Sequence, residues 1–235
     1  MHVMDVAKPI SALRLAGTAL YVCVWPTLMF VLAGEAGWLE GWLFAGWFLA
    51  LCATVIGWLY RKDPALLAER YRRPGSGGQK GWDQAVVYTI MVGFTAWIVL
   101  MPLDARRFGW TPPLPMGVRA AGGALLLTSA FLLLRSFHDN TFLSALVRIQ
   151  TERKQRVVSA GVYRFVRHPM YLGALLMFLG APLLLGSVVG LAVGAAMGFV
   201  LAFRIVGEER VLTSELEGYA EYRRKVRCRL LPFIW

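Results

Sequence analysis

Residues 170–206 read MYLGALLMFLGAPLLLGSVVGLAVGAAMGFVLAFRIV. No charged side chain occurs in this stretch before Arg204, and Gly186-Ser187 divides it in two. Each half predicts an apolar helix, residues 170–185 and 187–206, and the tight turn makes the pair an antiparallel hairpin. About 20 helical residues, at 1.5 Å per residue, cross a 30 Å hydrocarbon core. The first half is short for that and contains Pro182, so a tilted, kinked or partly inserted helix is expected there.

Four further apolar runs lie upstream, at about residues 15–32, 38–60, 84–103 and 118–137. The first follows Lys8 and Arg14 and is long for a signal-peptide core. Its small-residue cleavage pattern around Gly34-Glu35-Ala36 is weak, so it reads as a membrane helix. Trp38, Trp42 and Tyr60 sit near the ends of the second run, where interfacial aromatics belong. Composition agrees: hydrophobic residues make up 57% and charged residues 17% of the 235, against about 25% charged in soluble domains. The expected fold is an all-α polytopic membrane protein with about six transmembrane helices, a C-terminal hairpin and an amphipathic tail helix. Residues 1–137 read as a four-helix membrane region, and residues 138–235 as a loop, hairpin and tail that form the working part.

The formal charge of +11 is arranged in loops. Arg61, Lys62, Arg70, Arg72, Arg73 and Lys80 lie between spans two and three. Arg148, Arg153, Lys154, Arg156, Arg164 and Arg167 lie between four and five. Arg210, Arg223, Arg224, Lys225, Arg227 and Arg229 follow span six. Six spans place all three clusters on one side with the N-terminus, and the positive-inside rule makes that side the cytoplasm. Basic residues distributed in this way argue against a nucleic-acid partner and for a membrane bilayer as the partner.

Other classes find little support. Cys23, Cys52 and Cys228 form no C-x-x-C pair, and His2, His138 and His168 have no metal-ligand spacing, so neither a disulfide framework nor a metal site is expected. Gly75-Ser-Gly-Gly-Gln-Lys-Gly81 lacks phosphate-loop spacing and reads as a linker. No strand leads into G-x-G-x-x-G, which excludes a dinucleotide crevice. A transporter is disfavoured because there is no internal repeat. Gly186, Gly190, Gly194 and Gly198 form a smooth stripe suited to close helix packing, either against span five or across a homodimer.

The chemistry-bearing stretch is residues 150–171, QTERKQRVVSAGVYRFVRHPMY. Pro169 suits the first turn of a helix, which places His168 at the helix entrance among free N–H groups. At the far exit of the hairpin, Arg204 and Glu208 stand four apart on one face, and ionisable groups at the edge of a membrane core suggest function. Plainer readings stand beside these. His168-Pro169 can be only a helix start, Arg204 can snorkel or pair with Glu208, Glu209 is expected in solvent, and Tyr219 and Tyr222 can be interfacial anchors.

The order G-V-Y (161–163), R-H-P-x-Y-x-G (167–173), an apolar hairpin, R-x-x-x-E-E (204–209), Y-x-x-Y (219–222) and L-P-F-I (231–234) resembles the isoprenylcysteine carboxyl methyltransferase and phospholipid methyltransferase family. The resemblance covers roughly residues 150–233. It implies an integral membrane enzyme whose cofactor is S-adenosyl-L-methionine, with a cofactor site on the cytoplasmic side. Carried over by motif, it implies cofactor contacts at Gln150, Gln155, Arg156, Val157, Val158, Tyr163, His168, Pro169, Tyr171 and Glu208. It also implies that Glu208 holds the amino-acid end of the cofactor, while Arg204 faces the methyl acceptor; these two are the expected catalytic pair. The stretch between Gln150 and Tyr163 is shorter than in the eukaryotic enzymes, and the segment between Leu212 and Tyr219 also differs in length. The implied acceptor is lipophilic: a prenylcysteine-type carboxylate, a phospholipid amine or another small lipophile. A sulfonium methyl is already activated, so the reaction needs in-line positioning and exclusion of water rather than a metal. The competing reading is a non-catalytic accessory protein that keeps the fold.

Overall fold

The computed structural model describes residues 10–231 and 235. Among them the chain is all helical: α1 (Ala12–Ala33), α2 (Leu39–Lys62), α3 (Pro64–Arg70), α4 (Gly81–Pro102), α5 (Met116–Asp139), α6 (Pro169–Leu185), α7 (Val188–Glu215) and α8 (Tyr219–Lys225). Two short 3₁₀ turns, Thr151–Arg153 and Gly161–Arg164, interrupt the long polar loop between α5 and α6. Helices α1, α2, α4, α5 and α7 are long and apolar enough to cross a membrane. Helix α6 has 17 residues and spans about 26 Å, short as expected for its half of the hairpin. The chain is an integral membrane protein.

Local signals explain the helix ends. The Ser11 hydroxyl accepts from the Arg14 N–H to open α1, and Gly34 closes it at φ 69°. Asp63 caps α3 by accepting from the Leu66 N–H at 2.9 Å, followed by Pro64 at the first helical position. Between α6 and α7, Gly186 adopts φ 83°, a left-handed conformation that suits glycine, and Ser187 then caps α7 by accepting from the Gly190 N–H at 2.8 Å. At its distal end α4 passes through Pro102, which lacks an N–H, into a π-helical turn, Leu103–Phe108. That turn buries Asp104. Its Oδ2 accepts from the Ser187 hydroxyl at 2.7 Å, the Thr111 hydroxyl at 2.8 Å and the Val189 N–H at 3.1 Å. The turn of the hairpin is thereby pinned to the end of α4.

The core joins α2, α4, α6 and α7. Trp97 is fully buried against Phe44 and Phe178, and its indole N–H donates to the Phe178 carbonyl at 3.2 Å. Helix α5 lies against α6 where two glycines meet: a Cβ at Gly180 would fall 2.9 Å from the Gly122 carbonyl oxygen. The buried Ser129 hydroxyl adds a bond to the Gly173 carbonyl at 2.7 Å. The glycine stripe on α7 is covered from within the chain. Gly190 faces Met101 and Pro182, Gly194 faces the Phe178 backbone, and Gly198 faces Leu175; Gly186 is the turn residue itself. Gly194→Ala is expected to cost about 1–3 kcal/mol by overpacking, seen as a lower thermal midpoint in detergent. Gly17→Ala, with open space around it, is the neutral control; equal midpoints for the two would contradict the close approach.

Two boundaries differ from expectation in ways that matter. Helix α7 continues beyond the expected span end at residue 206 to Glu215, which carries Glu208 and Glu209 on the same helix as Arg204. Helix α4 begins at Gly81, which puts Asp83 in its first turn. The tail helix α8 is amphipathic as expected, with Tyr219 and Tyr222 buried and its basic residues exposed. Of the L-P-F-I segment, residues 232–234 lie outside the described residues.

Candidate active site

The hairpin brings its two open ends together. His168, at the entrance to α6, and Glu208, near the exit of α7, line one cleft bounded by the 140–168 loop and by α8. Gln155, Arg156, Val157, Val158, Tyr163 and Tyr171 line the same cleft. Glu208 accepts a 2.6 Å hydrogen bond from the Tyr171 hydroxyl and does not pair with Arg204. The hydroxyls of Tyr163 and Tyr219 are buried without a hydrogen-bond partner among the described residues, although both tyrosines line the cleft. Burial also pushes the Tyr219 phenol well above its ordinary range. Hydroxyls so placed can donate to a ligand or to water.

Three expected site residues stand elsewhere. Gln150 is fully buried behind the loop, where its Nε2 donates to the Phe142 carbonyl at 2.8 Å and its Oε1 accepts from Arg153 at 2.7 Å. Its backbone N–H donates to the Gln155 Oε1 at 2.8 Å, so it braces a cleft residue rather than facing the cleft. Pro169 starts α6 and acts through the backbone. Arg204 turns to the opposite side of Tyr171, with its guanidinium 5.9 Å from that ring.

Glu209 is the main correction. Expected in solvent, it is 3% exposed and joins a closed network. One oxygen accepts from Arg167 Nε at 2.6 Å and lies 3.2 Å from His168 Nε2; the other accepts from Arg229 Nε at 2.9 Å. Arg167 also donates to the Val226 and Arg227 carbonyls at 2.6 and 2.8 Å. The backbone N–H groups of Arg167 and His168 donate to Cys228 and Arg229. The C-terminal segment is thereby clamped against the helix entrance, and the His168 ring is held in place at the cleft wall.

Two further acids escaped the sequence reading. Asp83 is fully buried. It accepts from Arg204 Nε at 2.8 Å, from Arg204 Nη2 at 3.3 Å, from the Val147 N–H at 2.8 Å and from Gln79 at 2.7 Å. Arg204 Nη2 also reaches the Ala145 carbonyl at 2.6 Å. Glu69 receives Arg148 Nε and Nη2 at 2.9 and 3.0 Å, with Ser144 and Arg72 completing its shell. Burial alone would raise the Glu69 pKa; these hydrogen bonds outweigh it and hold the carboxyl below its ordinary range. Arg148 also pairs with Glu152, and Lys80 with Glu215 at 2.6 Å. The loops carrying the basic clusters are thus tied together at one end of the helices.

On the far side of Tyr171 lies a second, largely apolar cavity between α1, α4, α5, α6 and α7. Arg204 and Arg70 line it, and it shares only Met170 and Tyr171 with the first cleft. The arrangement offers a polar cleft and an oily chamber separated by two side chains.

Residues 118–218 match the family model described as phospholipid methyltransferase. The chain is also 34% identical over 85 residues to the protein-S-isoprenylcysteine O-methyltransferase of Schizosaccharomyces pombe, an alignment covering 35% of this chain and 36% of that protein. The chain therefore spans about a third of the length of the curated relative it matches. The matched segment holds α5, the hairpin and most of the cleft wall, so the likeness to these methyltransferases falls on the part of the chain that builds the cleft.

Proposed function

We propose that this protein transfers a methyl group from S-adenosyl-L-methionine to a lipophilic acceptor that enters from the bilayer. The observation that carries this reading is the shared wall: a polar cleft lined by the family motif residues meets an apolar cavity at Met170 and Tyr171. The residues present suit the cofactor. Glu208 can receive its ammonium group, Tyr163 and Tyr219 have hydroxyls to give, and Val157, Val158 and Leu212 provide apolar surface for a purine. When bound, the cofactor supplies a methyl group already activated on a sulfonium. The protein's part is then to align the acceptor and keep water away. Tyr171 holds Glu208 in position, and the apolar cavity walls exclude water from the acceptor's side.

Arg204 is suited to orient an anionic acceptor, since guanidinium groups match carboxylate oxygens. Its Nε and Nη2 are engaged by Asp83 and Ala145, so an acceptor would meet Nη1 rather than the whole fork. The end of the molecule that bears the cleft and the basic loops is assigned to the cytoplasm by the positive-inside rule, together with both termini.

Binding of radiolabelled S-adenosyl-L-methionine to the purified protein in detergent tests the reading. Saturable binding is expected, and Glu208→Ala or His168→Ala should weaken it by about 30-fold or more, equivalent to about 2 kcal/mol. No binding above background in the wild type would overturn the reading. Binding without methylation of any supplied lipid would point to an accessory protein that keeps the fold.

A further inference from the structure

Helix α5 ends on a charge of the wrong sign. Its last residue is Asp139, and the carbonyl end of a helix disfavours a carboxylate. The Asp139 side chain is also nearly covered, at 7% exposed. Arg135 and His138 lie 2.8 and 3.0 Å from its Oδ1, but both are exposed, and such surface pairs contribute little. The firmer tie runs 23 residues onward, where Asp139 Oδ2 accepts from the Val162 N–H at 2.9 Å. Gly161 rests against the same carboxylate at φ 59°, and a Cβ there would collide with Oδ2. Both the conformation and the close approach call for glycine.

These contacts hold the 3₁₀ turn Gly161–Arg164, which carries Tyr163. The Tyr163 ring is buried in the cleft wall, and its hydroxyl has no hydrogen-bond partner among the described residues. The Tyr163 carbonyl accepts from the Tyr222 hydroxyl of α8 at 2.6 Å. The turn is thus fastened to α5 on one side and to α8 on the other, while its phenol lines the cleft. Asp139 itself does not line the cleft. We infer that Asp139 is a positioning residue for cofactor binding: by holding the Gly161–Arg164 turn, it aims the Tyr163 hydroxyl at the ligand. The inference rests on the methyltransferase reading for the identity of that ligand. It accounts for what helix stability does not, a nearly covered carboxylate kept at a helix C-terminus.

The test is affinity for radiolabelled S-adenosyl-L-methionine in detergent. Asp139→Ala and Tyr163→Phe should each weaken binding by about tenfold, the equivalent of one hydrogen bond. The double variant should be no more than about twofold weaker than Tyr163→Phe, because both changes remove the same contact. A role confined to fold stability would instead let the two losses multiply. Asp139→Asn keeps an oxygen for the Val162 N–H and should recover most of the affinity. Gly161→Ala disturbs the turn from its other side. It should give the same loss and the same lack of additivity with Tyr163→Phe, so the test does not depend on Asp139→Ala folding. Wild-type affinity in Tyr163→Phe, or in both Asp139→Ala and Gly161→Ala, overturns the inference and leaves the methyltransferase reading standing. Losses that multiply in the double variants do the same. No binding by the wild type overturns both.

Discussion

Glu209→Ala is expected to destabilise the folded protein by about 3–5 kcal/mol, the range for removing one partner from a buried ion pair. The size follows from what is left behind. Arg167, with 4% of its side chain exposed, would face the core without a counter-charge, beside His168 and the guanidinium of Arg229. Thermal unfolding in detergent gives the first readout. Limited trypsin digestion gives a second, because Arg167 also holds the Val226 and Arg227 carbonyls and its release should expose Arg227 and Arg229 to cleavage. The double variant Glu209→Ala/Arg167→Ala should cost less than the two single losses added together, as expected for residues of one network. A loss below about 1 kcal/mol for Glu209→Ala, with the tail still protected, would mean that the network does not close as described.

Asp83→Ala should be nearly as damaging, about 3–5 kcal/mol, since it strips the counter-charge from a buried Arg204 and the acceptor from the Val147 N–H. Asp83→Asn should cost less, because an amide oxygen can still receive Val147. The effect should reach the cleft, because Val147 lines it and Ala145 is tied to the same arginine. Cofactor affinity should therefore fall in Asp83→Ala even though Asp83 does not line the cleft. Unchanged affinity in a destabilised variant would show that the pair supports the helices but not the loop.

The membrane helices and the hairpin were legible because an apolar run followed by a glycine turn admits few other structures. The meeting of His168 and Glu208 followed from the same fact: a tight turn at one end of a hairpin returns the chain to the level at which it entered. Glu209 was misread for a specific reason. An acid just past an apolar span reads as solvated, whereas α7 carries Glu209 to the entrance of α6, where Arg167, His168 and Arg229 surround it. Asp83 and Glu69 were invisible because their partners, Arg204 and Arg148, are far away in sequence, and pairing between loops leaves no periodic trace. Gln150 shows the limit of a motif, which conveys a residue type but not the direction in which its side chain points.

Met170 and Tyr171 are the two side chains common to both voids, and Tyr171 touches Glu208 through its hydroxyl while its ring lies beneath Arg204. A guest on either side that shifted this ring would alter the wall of the other void. Thermodynamic linkage then fixes the relation: whatever factor the water-borne guest applies to the affinity of the oily one is returned in equal measure. Coupling of this kind would need only that one ring to shift, with the helices left in place.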